Sequence, residues 1–311
     1  MLRRLILVGS IFAAPLSFLG ESSLSITTPL GTRVEFAAAA FMPGEIVTIR
    51  LAPGGRERRV SVHWSGETVT LGPPGSGFEP FGLEGIDLGQ KPGPVPISVA
   101  VLCADGTTEV ARGTAEVLAR AFPEKRLKVD GRYVTPPAEL RERLQWEAEL
   151  LRTVYGIASP RWLAEGPFGL PHEGEMALNF GERRVYNNAS PSIHAGVDIA
   201  APLGSPVRAS NSGRVVLARY LYFSGRTVVI DHGLGLFTTY GHFSALKVAR
   251  GDRVKKGDVI GLAGSTGRST GPHLHWSARV RESRVDPRAL LDLMPDAVSP
   301  RVPERSSSKP S

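Results

Sequence analysis

Four histidines and one aspartate stand out by type and spacing. They are His194 and Asp198 in His-Ala-Gly-Val-Asp, His242 in Tyr-Gly-His, and His273 and His275 in His-Leu-His. Residues of these types suit a hydrolytic zinc site, which takes three protein ligands from His, Asp or Glu and leaves a fourth position open. The single cysteine, Cys103, excludes a cysteine-held metal and any intramolecular disulfide. In a strand, His273 and His275 fall on one face with Cα atoms about 6.6–7 Å apart, so one can bind metal while the other faces the open position. His194 and Asp198 share parity as well, but a fully extended chain would hold them about 13 Å apart. Gly196 between them predicts a bend that brings both to one ion. A carboxylate ligand lowers the charge of such a site, and the remaining histidines are then free to act as acid and base. Neither His-x-His nor His-x-x-x-Asp carries weight alone; their ordered combination inside one Gly-punctuated segment does. Of the other histidines, His63 is isolated in a strand pattern and His172 lies upstream of the constellation. His232, in Asp231-His232-Gly233, reads as part of a hairpin turn.

The elements that must position these residues are mostly strands. With 35 Gly and 25 Pro in 311 residues, the composition favours many short strands over long helices. Hydrophobic residues at 41% and charged residues at 22% exclude a disordered chain and a polytopic membrane protein. The length suggests about two domains. Residues 21–120 alternate short β-type runs with turn residues and predict a β-sandwich-like domain. Residues 121–170 form a linker containing a helix over 136–155, with Thr135 as cap, Pro136 in the first turn and Gly156 at the end. Leu140, Leu144, Leu151 and Tyr155 share one face of that helix, which reads as a connector packed on a neighbouring domain. The β pattern returns in a second domain, 171–295, and 296–311 is a polar Pro/Ser-rich tail expected to be disordered.

The second β segment resembles the lysostaphin-type (LytM-like) zinc metallopeptidases, which cut peptide bonds in peptidoglycan. The matching stretches are His194-Ala-Gly-Val-Asp198-Ile-Ala-Ala-Pro, Gly213-Arg-Val-Val, Val229-Ile-Asp-His-Gly and Tyr240-Gly-His242. Gly251-Asp-Arg-Val-Lys-Lys-Gly257-Asp-Val-Ile-Gly261, Gly264-Ser-Thr-Gly267 and Gly271-Pro-His273-Leu-His275-Trp complete the set. The resemblance implies that His194, Asp198 and His275 hold one zinc ion, and that His242 and His273 face the water and the substrate. It also implies that a tyrosine upstream of the first ligand assists the tetrahedral intermediate, for which Tyr186 is the nearest candidate. The implied fold is mainly β, with an antiparallel β groove carrying the zinc on its floor. Gly251–Gly261 also fits a lipoyl- or biotin-carrier pattern, but no lysine in a tight hairpin follows, so it reads as a turn between strands. The Gly264–Pro272 loop lacks the Lys-Ser/Thr of a phosphate-binding loop and reads as a groove wall.

Residues 1–20 carry Arg3 and Arg4 ahead of a mostly apolar run, Leu5–Leu19, interrupted by Pro15. This predicts a signal peptide, or an anchor if it is not cleaved; only then would a membrane be a partner. The expected location is outside the cytoplasm, in the periplasm or cell envelope of a bacterium. The net charge of +7 is compatible with an acidic wall polymer. Basic residues form no block and no nucleic-acid-binding signature is present, so nucleic acid is not an expected partner. Peptidoglycan stem peptides are, together with an envelope protein meeting the amino-terminal domain. The function read from the sequence is an exported zinc endopeptidase of peptidoglycan cross-links. The alternative is a catalytically silent or autoinhibited envelope regulator on the same fold, with residues 171–192 covering the groove.

Overall fold

Alternating buried and exposed side chains in the first third of the chain build two facing sheets. In the computed structural model, which describes residues 22–52, 57–189 and 191–293, β1 (Ser22–Thr27), β2 (Arg33–Ala38), β3 (Ile46–Leu51), β4 (Glu57–Trp64), β5 (Glu67–Leu71), β6 (Phe81–Gly85), β7 (Gly93–Cys103) and β8 (Thr108–Val117) form this unit. The orders are β1-β2-β3-β6 and β5-β4-β7-β8. Their inward residues, among them Phe36, Ile49, Val60 and Trp64, make one apolar core. The expected signal segment and tail lie outside the described residues. No helix among the described residues is long and apolar enough to cross a membrane.

The connecting region departs from expectation at two points. A short strand, β9 (Glu124–Leu127), pairs in parallel with a later one. The helix α1 spans Arg141–Gly156 behind a 3-10 turn at Ala138–Leu140, and so begins later than the sequence pattern suggests. The Pro136-Pro137 pair explains this. A residue before proline is driven out of the helical region, and Pro137 itself is extended (ψ 144°). Leu150, Leu151, Val154 and Tyr155 of α1 pack on the second domain.

That domain comprises β10 (Arg183–Tyr186), β11 (Ser192–Ile193), β12 (Val197–Ala200), β13 (Pro206–Arg208), β14 (Gly213–Leu221), β15 (Gly225–Gly233), β16 (Leu236–Phe243), β17 (Ala245–Leu246), β18 (Arg253–Val254), β19 (Val259–Leu262), β20 (His273–Val280) and β21 (Ser283–Val285). Its main sheet runs β12-β20-β16-β15-β14-β18, with β21 on β20. The Gly251–Gly261 stretch is structural: it carries β18 and the start of β19, joined by a turn at Lys256 and Gly257, where Gly257 has positive φ. His232 is not in the turn. It lies inside β15, one residue before its end, fully buried between the Ser212 carbonyl and Thr238 Oγ1, and the reversal falls on Leu234 and Gly235.

The two faces of β20 have different partners. Leu274, Trp276, Ala278 and Val280 point into the core, where Ile46, Leu83 and Leu88 of the sandwich join them. Arg284 clamps Asp87 through two nitrogens at 2.7 and 3.0 Å, and the Asp286 amide donates to the Gly44 carbonyl. The sandwich is therefore docked on the face away from His273 and His275. Helix α1 lies on the histidine face: the Tyr155 hydroxyl is 3.0 Å from Thr239 Oγ1, and its ring meets Phe237 edge-on.

Candidate metal centre

Strand register brings the central residues together. Asp198 on β12 is directly opposite His275 on β20. The strict alternation along His273–Val280 places His273 and His275 on the same open face, as spacing predicts. His194 precedes β12 in a loop tied by its amide to the Glu182 carbonyl. The bend after His194 does not rest on a special conformation at Gly196, whose φ is not positive. Glycine is needed there for room: a Cβ would lie 2.5 Å from the Trp276 carbonyl oxygen and 2.8 Å from His275 Cε1.

His242 reaches the site through an irregularity. On β16, Tyr240 faces the core, so a regular strand would bury His242 beside it. Between the pairs Val228↔Tyr240 and Arg226↔Phe243, two residues of β16 oppose one of β15. This bulge, with His242 at φ 66°, turns its imidazole toward the other histidines. The ring centroids of His242 and His273 are 4.8 Å apart, as are those of His194 and His275.

Main-chain carbonyls fix the tautomers. Nδ1–H of His194 donates to Asn179 O at 2.9 Å, that of His242 to Thr266 O at 2.7 Å, and that of His273 to Gly271 O at 2.8 Å. Each Nε2 is left with its lone pair. Nε2 of His194, Nδ1 of His275 and Oδ1 of Asp198 converge: the two nitrogens are 2.9 Å apart, and each is 3.2 Å from the oxygen. Ligands at about 2.0–2.1 Å from a tetrahedral zinc are about 3.3–3.4 Å apart, so these three atoms fit such an ion. Nε2 of His273 is 3.6 Å from the same Asp198 oxygen, beside the triad.

Two residues that spacing did not reveal complete the arrangement. Arg184 Nη2 and Asn179 Nδ2 hold Asp198 Oδ2 at 2.7 and 3.1 Å, which leaves Oδ1 to the cluster. Arg184 is itself fixed by Glu182 at 2.7 Å. Asn179, Glu182 and Arg184 thus supply a brace for the ligands, and the side chains of Asp198, His273 and His275 stay 18–20% exposed. Burial opposes ionisation of Asp198, but the imidazoles of His194 and His275 beside it hold its carboxyl well below the usual carboxylate range. Burial, against the pull of Asp198, lowers His275 to about 4. Burial and the neighbouring imidazoles His275 and His273 lower His242 to about 3. The imidazoles of His275 and His242 thus favour the neutral, metal-binding or proton-accepting form.

Tyr186 is buried, sharing a face of β10 with Arg184, and its ring lies under the guanidinium of Arg268 at 4.5 Å. A cavity of about 460 Å³ extends from His275 along the sheet toward Arg279, walled by Leu151 and Tyr155 of α1.

Residues 192–287 match the model of Peptidase family M23. The DD-carboxypeptidase/endopeptidase Mpg of Neisseria gonorrhoeae is 48% identical over 95 residues, 30% of this chain and 22% of Mpg. The peptidoglycan DD-endopeptidase ShyA of Vibrio cholerae is 44% identical over 114 residues, 36% of this chain and 26% of ShyA. This chain therefore spans only about a quarter of the length of these relatives. A crystal structure of a Pseudomonas aeruginosa protein assigned to peptidase M23 superposes with a TM-score of 0.61 at 27% identity, covering 81% of this chain and 95% of that one.

Proposed function

We propose that this chain, whose carboxy-terminal domain belongs to peptidase family M23, is an exported zinc endopeptidase that hydrolyses peptide cross-links of peptidoglycan in the bacterial envelope. The observation that carries the reading is the convergence of His194, Asp198 and His275, with ligand atoms within 4.8 Å of one another. When bound there, zinc supplies Lewis acidity toward a water and the scissile carbonyl. Nε2 of His273, next to the triad, takes the proton of the attacking water. That proton then goes to the nitrogen of the departing amine, given by His273 or relayed through Nε2 of His242, whose ring centroid is 4.8 Å from that of His273. The carbonyls of Gly271 and Thr266 keep both rings aimed during these transfers. Tyr186 is the candidate for steadying the developing oxyanion.

The DD-endopeptidase names of the relatives favour a D,D bond, such as D-Ala–diaminopimelate, over a Gly–Gly bridge. The silent-regulator reading is not favoured, because every ligand position is filled and the site keeps an open side. Export follows from the leader-like sequence of residues 1–20 and from where the substrate lies. The test is digestion of purified peptidoglycan by the zinc-loaded chain. New amino groups and shortened cross-linked muropeptides are expected; intact cross-links at full zinc occupancy would overturn the reading.

A further inference from the structure

Arg268 lies on the loop between β19 and β20, and its guanidinium is held between two aromatic rings. Its central carbon is 4.5 Å from the centroid of Tyr186 and 4.9 Å from that of Phe223. Stacking of this kind keeps the group flat and stiff and leaves its N–H donors along the edges. Three other arginines of the domain are closed by carboxylates: Arg184 by Glu182 and Asp198, Arg284 by Asp87, Arg288 by Asp286. Among the described residues, the Arg268 side chain has no carboxylate partner and no hydrogen bond. Burial disfavours its charge, and the nearby Arg184 adds to that. A partly desolvated cation without an anion costs free energy that an incoming anion would recover.

Every contact around Arg268 belongs to a wall of the metal centre. Its amide donates to the Phe223 carbonyl at 2.7 Å, one residue from Ser224, whose carbonyl holds the His242 amide. Thr266 and Gly271, on the same loop, hold the His242 and His273 rings. Tyr186 is two residues from Arg184, which holds Asp198. A chain bound across the metal ligands passes these walls.

We propose that Arg268 determines specificity by binding a free carboxylate of the stem peptide in the groove. This rests on the peptidoglycan reading above. Short of its C-terminus, a stem peptide offers such a group at the glutamate and at the diamino acid; these two are the carboxylates meant here, and amidation removes either one.

The experiment compares three stem peptides with the zinc-loaded full chain: unmodified, amidated at the glutamate, and amidated at the diamino acid. Binding is measured by calorimetry, and hydrolysis on the corresponding cross-linked dimers. Wild type is expected to prefer the unmodified form over one of the amidated forms by about 10–100-fold, mainly in KM, the range of a charge-assisted hydrogen bond. The amidated form that loses affinity identifies the carboxylate. Arg268→Gln should weaken the unmodified peptide to the level of that amidated form and leave the latter unchanged; Arg268→Lys should keep part of the preference. Equal loss on all three peptides would mean that Arg268 only staples the loop, and would overturn the proposal. So would a wild type that cleaves all three alike, which leaves the peptidoglycan reading intact. A wild type that neither binds nor cleaves any of them overturns both. If Arg268→Gln does not fold, the wild-type preference and Arg268→Lys decide the matter.

Discussion

Replacing Glu84 by glutamine isolates the effect of one buried charge where the sandwich meets the second domain. Glu84 is 0% exposed in β6. Its Oε1 accepts from the Gly85 amide at 3.0 Å, but Oε2 has no hydrogen-bond partner. Arg281 Nη1 stays 3.8 Å from it and donates to the Leu83 carbonyl at 2.9 Å. Burial therefore outweighs the attraction of Arg281 and lifts the carboxyl from 4.5 to about 7. Unfolded, Glu84 loses its proton near 4.5; folded, it keeps it to about 7. Between these values the folded chain binds the extra proton, so stability falls as pH rises through the window. At about 1.4 kcal/mol per pH unit the full effect is about 3 kcal/mol, of which about 2–3 kcal/mol lies between pH 5 and pH 8. Glutamine stays neutral throughout. Urea unfolding followed by tryptophan fluorescence at intervals from pH 5 to pH 8 measures both proteins. The stability of Glu84→Gln relative to wild type should rise by that amount toward pH 8. A difference that stays constant within about 0.5 kcal/mol would refute the reasoning, because the other titrating groups are common to both chains.

Arg184→Ala removes the brace on Asp198 Oδ2 and should weaken zinc binding about 10–100-fold, read by competition with a chelating dye. His273→Ala should abolish hydrolysis while most zinc is retained by metal analysis, whereas His194→Ala should lose both; equal loss of zinc in the two would refute the division of roles. Gly225→Ala would set a Cβ 2.2 Å from Thr266 Oγ1 and 2.4 Å from its carbonyl carbon, at a φ of 66°. It should displace the carbonyl that aims His242 and lower kcat about tenfold or more with zinc still bound, as steady-state kinetics would show.

How much of this was legible beforehand depended on the kind of signal. Strand parity placed His273 and His275 correctly, because alternation is a rigid consequence of extended geometry. The sandwich and the connector helix were legible from the same periodicities, although Pro137 delayed the helix. His242 was legible as a residue but not in its orientation, which depends on a bulge opposite Thr227. Gly196 was noticed for the wrong reason: its value lies in the approach of His275 and Trp276, which no local pattern reports. Arg184, Asn179 and Arg268 could not be found by spacing. Arg184 and Arg268 are two of many arginines; Arg184 is distinguished by its hold on Asp198 of another strand and Arg268 by the two rings that flank it, contacts that only the fold creates.

The central claim is that three side chains hold one zinc ion for hydrolysis of wall peptides. Metal analysis of the purified chain, paired with mass spectrometry of muropeptides released from peptidoglycan, tests it most directly. The account predicts one zinc per chain and cleaved D,D cross-links for wild type, and neither for Asp198→Ala. Retained zinc in Asp198→Ala, or wild-type chain fully loaded with zinc that leaves the cross-links intact, would contradict it.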